Sequence, residues 1–556
     1  MVYHLIFDSL EEKLSSYDRA ICRAFSFKLR THMSDRNFAK VPLAFPPAPG
    51  QPPLPNLDST RARIRFLAGF QPEQYDCCRN SCCCYTGPHQ GLESCPFCQE
   101  PRLSNAGKPH KRFTYIPIIP RLLAFARNQD KATKMKYRAE HRHVNGITTD
   151  VFDGSAYRNL RQQHVEIKGQ KLPHVYFSDD RDIALGLSTD GFAPWKRRKH
   201  TAWPLILFNY NLPPESRFHA GEIMALGVIP GPKKPVDIDS FLWPAVLEFI
   251  KLAEGVRAFD ILKAELFLLH AYLILVFGDI PAVALLMHMK GHNGFSPCRM
   301  CKIQGLRVPE VRGTALYVPL FRSNHPDVLM DPTAIKYYDP ANLPLRTHAE
   351  FIAQAEEVHL APTNAEADRL SRSYGIKSIS ILSQLHSLTF PTSFPYDFMH
   401  LIWENLIKNL TLHWTGEFKG LDEGAESYQL SDPVWQAIGQ ATATSGTTIP
   451  SAYGSRVPNV TNDRANVSAE MWSFWTLYLG PILLRRRFRN IKYFKHFVLL
   501  VHLLNICLQF EISKDDILEI QIGFIQWVKD YERYLYSRLY LIDGLVTINL
   551  KILLPT

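Results

Sequence analysis

Residues 266–277 are apolar with one exception, His270, and the run stops at Gly278-Asp279-Ile280-Pro281. Its last part, rich in Leu, Ile, Val and aromatic residues, suits a strand covered on both faces, although a short helix fits the pattern equally. Asp279 then stands where the element ends, and Pro281 is acceptable in the first turn of a helix over 282–289. A turn, Gly291-His292-Asn293-Gly294, leads on to the thiol pair Cys298-x2-Cys301. A carboxylate delivered to the exposed end of a buried strand is suited to gripping a divalent metal; the same side chain can instead cap the following helix.

The length, 556 residues, leaves room for two or three domains with a sizeable core. With 46% hydrophobic and 21% charged residues the chain is globular rather than disordered. A net charge of +10 favours an anionic partner. Nucleic acid is the expected one, because the basic residues cluster: Lys196, Arg197, Arg198, Lys199 and His200, then Arg485, Arg486, Arg487, Arg489, Lys492, Lys495 and His496. No leader pattern is expected at the start, where Asp8 follows a short apolar stretch, and 266–277 is too short to span a bilayer. A membrane partner is therefore not expected.

Nine of the eleven cysteines fall into two tight groups, one over 77–98 and one at Cys298 and Cys301. In the first, Cys78-x3-Cys82 and Cys95-x2-Cys98 have the spacing of a closed tetrahedral Zn²⁺ site, which would fold a segment poor in apolar residues. Cys77, Cys83 and Cys84 are spare and any of them can replace a neighbour; His89 is a further candidate ligand.

Along the chain, residues 1–60 read as an N-terminal segment and Pro-rich linker, 61–112 as the Cys-rich zinc segment, and 113–172 as a basic connector. In the connector, 124–142 is expected to form a helix with a basic surface. Strands are expected at 182–188, 204–210 and 222–230, forming an antiparallel meander. Asp190-Gly191 follows the first strand, and the 196–200 basic run comes soon after, which suits either a metal-dependent enzyme acting on phosphodiesters or a plain Asp-Gly turn with a solvated basic loop. Residues 237–260 read as helical, as do 349–357 and 363–374. A helix opens near Phe394-Pro395-Tyr396-Asp397-Phe398-Met399-His400 and runs to about Trp414. Three residues apart, Asp397 and His400 share a face, and either complete a zinc site with Cys298 and Cys301 or cap the helix and pack. Ser468 caps a helix over 467–484 that carries Glu470 in its first turn; two amphipathic helices and a tail, 511–556 in part, close the chain.

Six stretches occur in one order: Leu187-Ser188-Thr189-Asp190-Gly191-Phe192, Asn211-Leu212-Pro213-Pro214, Val228-Ile229-Pro230-Gly231-Pro232, Gly278-Asp279-Ile280-Pro281-Ala282, Gly291-His292 with Cys298-x2-Cys301, and the 394–400 stretch. Together they resemble the transposases of CACTA (En/Spm-type) DNA elements, most closely the branch abundant in mushroom-forming fungi. The resemblance implies an α/β chain with an RNase H-like catalytic core over 173–510. A zinc-bearing, mostly helical insertion, about 290–465, would interrupt it, and C-terminal helices would follow. It implies a DD(E/D) enzyme cutting and joining DNA strands with two Mg²⁺ (or Mn²⁺). Asp190 and Asp279 would be the first two acids; Glu470 is the choice for the third, with Glu404 as its rival. Cys298, Cys301, Asp397 and His400 would take the insertion's zinc positions. DNA ends and target, self-association and a nuclear location go with that reading. The alternative is an inactive, truncated descendant that survives as a zinc-stapled DNA-binding or scaffold protein.

Overall fold

The computed structural model describes residues 14–47, 50, 52–69, 71–193, 201–307, 316–418 and 427–535. The chain is mixed α/β. It divides into two compact units, the first made of Met1–Arg142, Tyr157–Val276 and Ile381–Leu388, the second of His143–Ala156, Phe277–Ser380 and Thr389–Thr556. Among the described residues, no helix is long and apolar enough to cross a membrane.

The first unit is built on a six-stranded sheet. Its strands are β1 (Glu73–Asp76), β2 (Arg112–Tyr115), β3 (Ile183–Thr189), β4 (Ala202–Asn209) and β5 (Met224–Pro230). A hairpin of β6 (Val256–Asp260) and β7 (Glu265–Leu269) lies outside it, and β8 (Ala271–Phe277) completes it in the order β1-β2-β5-β4-β3-β8. The expected meander is present: β3 pairs antiparallel with β4, and β4 with β5. Every residue of β3 except Ser188 is buried, as its near-continuous apolar sequence requires of an inner strand. At the start of β3, Ile183 N–H donates to the carbonyl of His270, the residue that precedes β8, at 2.9 Å. The N-terminal ends of β3 and β8 therefore lie together, and these two strands run parallel. Where β2 crosses to β5, Gly227 has φ +157°, and a Cβ there would sit 2.4 Å from the Thr114 carbonyl oxygen; only glycine permits the approach.

One sequence expectation is borne out and one corrected here. The last part of the run 266–277 is the buried strand expected, β8, and the run as a whole is two elements. It breaks at its single polar residue, His270, whose Nδ1 lies 3.1 Å from Asp182 Oδ1. Before the break β7 alternates, leaving Leu266 and Leu268 on the surface; after it β8 is buried almost throughout. The helix expected over 237–260 stops at Glu254, after α1 (Asp239–Glu254), because Gly255 takes φ +105° and packs against the His270 ring.

The basic connector also turns inward. Instead of one helix it forms three short ones, Ile119–Arg127, Gln129–Lys134 and Tyr137–Glu140. Arg121, 2% exposed, donates to the carbonyls of Pro117, Ala225 and Ile116 at 2.7, 2.8 and 2.9 Å. Lys131 pairs with Glu222, and Arg138 bonds the carbonyls of Asp182 and Asp179 and the Tyr157 hydroxyl. Two of the cations expected on that helix surface, Lys131 and Arg138, thus hold the unit together, with Arg121 just before them.

The second unit is mainly helical. α2 (Ile280–Leu286) is followed by α3 (His348–His359) and α4 (Asn364–Tyr374), then by the wide-turned helix Met399–Leu406 running into α5 (Ile407–Thr415). α6 (Asp432–Ser445), α7 (Ala469–Phe474), α8 (Ile491–Cys507) and α9 (Lys514–Leu535) complete it. Their core is aromatic: Trp472, Trp475, Trp527 and Tyr531 are fully enclosed. Arg485, Arg486, Arg487 and Arg489 are exposed, as the basic cluster predicts. His496 is not part of that surface, because it is buried and stacks on Trp527 with ring centres 4.5 Å apart.

Candidate functional site

The first cysteine group forms the strongest candidate metal centre. Tight turns bring its thiols together. Cys78 N–H bonds the Cys83 carbonyl and Ser81 N–H bonds the Cys78 carbonyl, with Ser81 at φ +65°. Likewise Cys95 N–H bonds the Glu100 carbonyl and Gln99 N–H the Cys95 carbonyl, with Gln99 at φ +60°. The sulfurs of Cys78, Cys82, Cys95 and Cys98 all lie within 4.8 Å of one another, and those of Cys78 and Cys98 are 3.5 Å apart. Four thiolates around Zn²⁺, with Zn–S of about 2.3 Å, would stand about 3.8 Å apart, so the set fits. Among the described residues this is the one group of three or more Cys, His, Asp or Glu so assembled. With zinc bound, four protein ligands would leave no open position, the arrangement of a structural rather than a catalytic site.

Asn80 is a contributor that the spacing argument missed. Its backbone N–H reaches Cys78 Sγ at 3.3 Å and its side-chain amide reaches Cys98 Sγ at 3.5 Å, donors suited to a thiolate pair. Its place between Cys78 and Cys82 was the available signal. Burial pushes the Cys78 thiol up to about 11; Cys98 is opposed by burial too, yet hydrogen bonds from the Glu100 backbone and the Asn80 side chain bring it down to about 7. Among the spare thiols, Cys83 lies 3.9 Å from Cys95 but outside the four-sulfur group. Cys77 and Cys84 pair as bridge partners, and the Cys84 thiol donates to the Asp76 carbonyl. His89 is taken by Asp237 at 2.8 Å.

The knuckle is anchored to the sheet and to α1. The Cys82 carbonyl accepts from Val236 and Asp237, and Cys84 N–H donates to the Ser240 hydroxyl. Lys111 Nζ bridges the Arg79 carbonyl, the Ser81 hydroxyl and the Gly231 carbonyl. Gly87 lies flat on Trp243, where any Cβ would collide with the indole.

Asp190 is the residue after β3 and is half-buried. Gly191 beside it packs on the Trp203 ring, where a Cβ would stand 2.5 Å away, so the close approach it permits is to an indole. Asp279 is the second residue after β8, the parallel neighbour of β3. It is the N-cap of α2: Oδ1 accepts the Ala282 N–H at 2.6 Å, the capping role that the sequence left open. The basic run 196–200 lies outside the described residues.

Cys298 and Cys301 are buried, and Cys301 N–H points to Cys298 Sγ at 3.3 Å. The Tyr396 hydroxyl lies 3.8 Å from that sulfur, with Arg299 stacked over the Tyr396 ring at 3.6 Å. Asp397 accepts the His400 N–H at 2.9 Å and lies 3.2 Å from His400 Nδ1. Asp397 thus caps its helix and orients His400. The four do not form a mutually close ligand group of the kind seen at Cys78–Cys98. Exposed Glu470 caps nothing itself; its carboxylate meets the Ser455 N–H at 3.3 Å in the first turn after the Ser468 cap. Glu404 forms an ion pair with Lys408 one turn on.

Residues 152–317 match the family model described as transposase family tnp2. The matched segment contains Asp190, Asp279, Cys298 and Cys301; Asp397, His400, Glu404 and Glu470 lie beyond it. The matched segment is thus similar to a transposase domain. No curated protein matches the chain.

Proposed function

We propose that this chain is a DNA transposase of the CACTA type, from the branch found in mushroom-forming fungi, or its close descendant, with an RNase H-like core over 173–510. The observation that carries the reading is the transposase match over 152–317, a segment in which two neighbouring parallel strands each lead into an aspartate, Asp190 and Asp279. Strands that run the same way and sit side by side end at one edge of their sheet, the arrangement that an acid pair for divalent metals requires.

In this reading Asp190, Asp279 and a third acid hold Mg²⁺ or Mn²⁺, hard cations suited to carboxylate oxygen. When bound, the two ions lower the barrier to in-line attack on a DNA phosphodiester. Glu470 is the proposed third acid and Glu404 its rival. Asp279 holds its carboxylate in one orientation through the Ala282 N–H, which leaves its second oxygen directed by the cap geometry. The Cys78, Cys82, Cys95 and Cys98 set holds a structural Zn²⁺, and a second is proposed at Cys298, Cys301, Asp397 and His400, which would have to draw closer together than they stand. Exposed Arg485, Arg486, Arg487 and Arg489 supply phosphate contacts that give affinity without sequence discrimination. A nuclear location, self-association and the domain division at 290–465 belong to the same proposal. The inactive scaffold reading is favoured by one feature, the carboxylate of Glu470 being engaged by Ser455.

The test is Mg²⁺-dependent strand cleavage on DNA carrying the element's own ends. Asp190→Ala and Asp279→Ala are expected to lose cleavage while retaining DNA in a filter-binding assay. Variants that cut like the parent chain sink the catalytic assignment; a parent chain that binds but never cuts supports the scaffold reading.

A further inference from the structure

The second unit contains a cavity of about 550 Å³ to which no part of the transposase reading assigns a role. That volume lies within the range of small-ligand sites, roughly 300–1,000 Å³. Three arginines line it, Arg307, Arg322 and Arg372, and two of them, Arg307 and Arg372, are exposed. Arg322 is different: it is 4% exposed and its Nε finds no hydrogen-bond acceptor. Burial lowers its pKa; the Tyr338 hydroxyl, by charge and by a hydrogen bond, and the Tyr317 hydroxyl offset this in part, and its guanidinium stands 5.0 Å from the Tyr338 ring centre. Among the described residues no carboxylate pairs with it, and a buried guanidinium of that kind is costly to keep unless an anion completes it.

The walls are held in place rather than collapsed. Buried His325 accepts the Asp327 N–H on Nδ1 at 3.1 Å, which leaves its proton on Nε2; that nitrogen donates to the Arg307 carbonyl at 2.8 Å. One imidazole therefore ties the short strand Leu306–Arg307 to the helix Pro326–Met330. Arg322 itself is fixed through its backbone, its N–H donating to the Lys336 carbonyl and its carbonyl accepting from His325.

The rest of the lining selects among anions. Two acids, Asp327 and Asp331, face the cavity with the three arginines, and Asp331 is held by the Thr333 N–H and hydroxyl at 2.9 and 2.7 Å. They repel a bare inorganic anion but accept hydrogen bonds from sugar hydroxyls or base amino groups. Phe295, Leu306 and Ile335 provide an apolar wall for a ring. We propose that this cavity binds a nucleotide, its terminal phosphate on Arg307, Arg322 and Arg372 and its base against the apolar wall. Bidentate arginine contacts to a phosphate monoester supply the affinity. The ligand is either a free mononucleotide or the 5′-phosphorylated end of a DNA strand, which present the same chemistry. The inference rests on the cavity alone and stands apart from the transposase assignment.

Calorimetric titration of the full chain, without divalent metal, tests it with five probes: deoxyadenosine 5′-monophosphate, deoxyadenosine, inorganic phosphate, and a single-stranded oligonucleotide with or without a 5′-phosphate. Saturable binding is expected for deoxyadenosine 5′-monophosphate, for the phosphorylated oligonucleotide, or for both; which of the two binds identifies the source. Arg322→Lys and the double variant Arg307→Ala/Arg372→Ala are expected to weaken it by about tenfold or more. The exposed double variant covers the case in which the buried one fails to fold. No saturable binding of any phosphorylated probe, equal binding of inorganic phosphate and nucleotide, or binding indifferent to the double variant overturns the proposal.

Discussion

The sulfur of Cys78 lies 3.5 Å from that of Cys98, near the spacing that a shared tetrahedral metal imposes. The purified chain is expected to carry zinc bound through this group. Cys95→Ser, or a strong chelator, should release it and destabilise the first unit by at least ~3 kcal/mol, whereas Cys84→Ser, outside the four-sulfur group, should keep the metal. Elemental analysis with thermal unfolding reads both. A Cys95→Ser chain that retains its zinc would move the ligand assignment to Cys83, the nearest spare sulfur.

Asp279 carries two proposed duties, and substitution separates them. Asparagine caps a helix about as well as aspartate, so Asp279→Asn should leave stability within about 0.5 kcal/mol of the parent, while Asp279→Ala should cost about 1 kcal/mol. Both should lose metal-dependent cleavage, since an amide is a poor ligand for Mg²⁺. An Asp279→Asn chain with full cleavage would leave only the cap.

Basic residues divide sharply by position. Arg121→Met removes a guanidinium bonded to three carbonyls and should destabilise by about 2–4 kcal/mol, because it strands buried acceptors. Arg485→Ala or Arg487→Ala, on the surface, should change stability by less than about 0.5 kcal/mol. On DNA, each phosphate contact so lost should lower the salt slope of binding by about 0.9. Chemical denaturation and salt-dependent binding distinguish the two classes.

His496 is expected to make the chain acid-sensitive. Burial against Trp527 drives its pKa down to about 4, although the hydrogen bond between Nε2 and the Trp527 carbonyl opposes the shift. The folded chain thus keeps it neutral where the unfolded chain, with an ordinary value of about 6.5, takes up a proton. Stability from this group is fully present above pH ~6.5 and is lost progressively down to pH ~4, by about 3 kcal/mol in all. His496→Gln should flatten that part of the stability–pH profile, as measured by denaturant unfolding at fixed pH values.

Features that depend on a few consecutive residues were legible in the sequence. The Cys78-x3-Cys82 and Cys95-x2-Cys98 spacing marks a four-thiol cluster, and the structure gathers those four sulfurs. The strand pattern over 182–230 foretold the β3–β4–β5 meander, and Ser468 starts its helix as its chemistry predicts. Local dihedral preference and capping settle such features, so they need no knowledge of distant chain.

Tertiary structure alone decided which charges are buried and where an apolar run breaks. Nothing near Arg121 in sequence announces that the Ala225 carbonyl will meet it, or that Lys131 will find Glu222. His270 divides one hydrophobic stretch into two strands because Asp182 waits beside it, and β8 joins the sheet next to β3 while β7, the strand just before it in sequence, pairs with β6 outside that sheet. The reason is that a buried polar group is stable only where the fold supplies its partner, and partners drawn from remote segments leave no local trace.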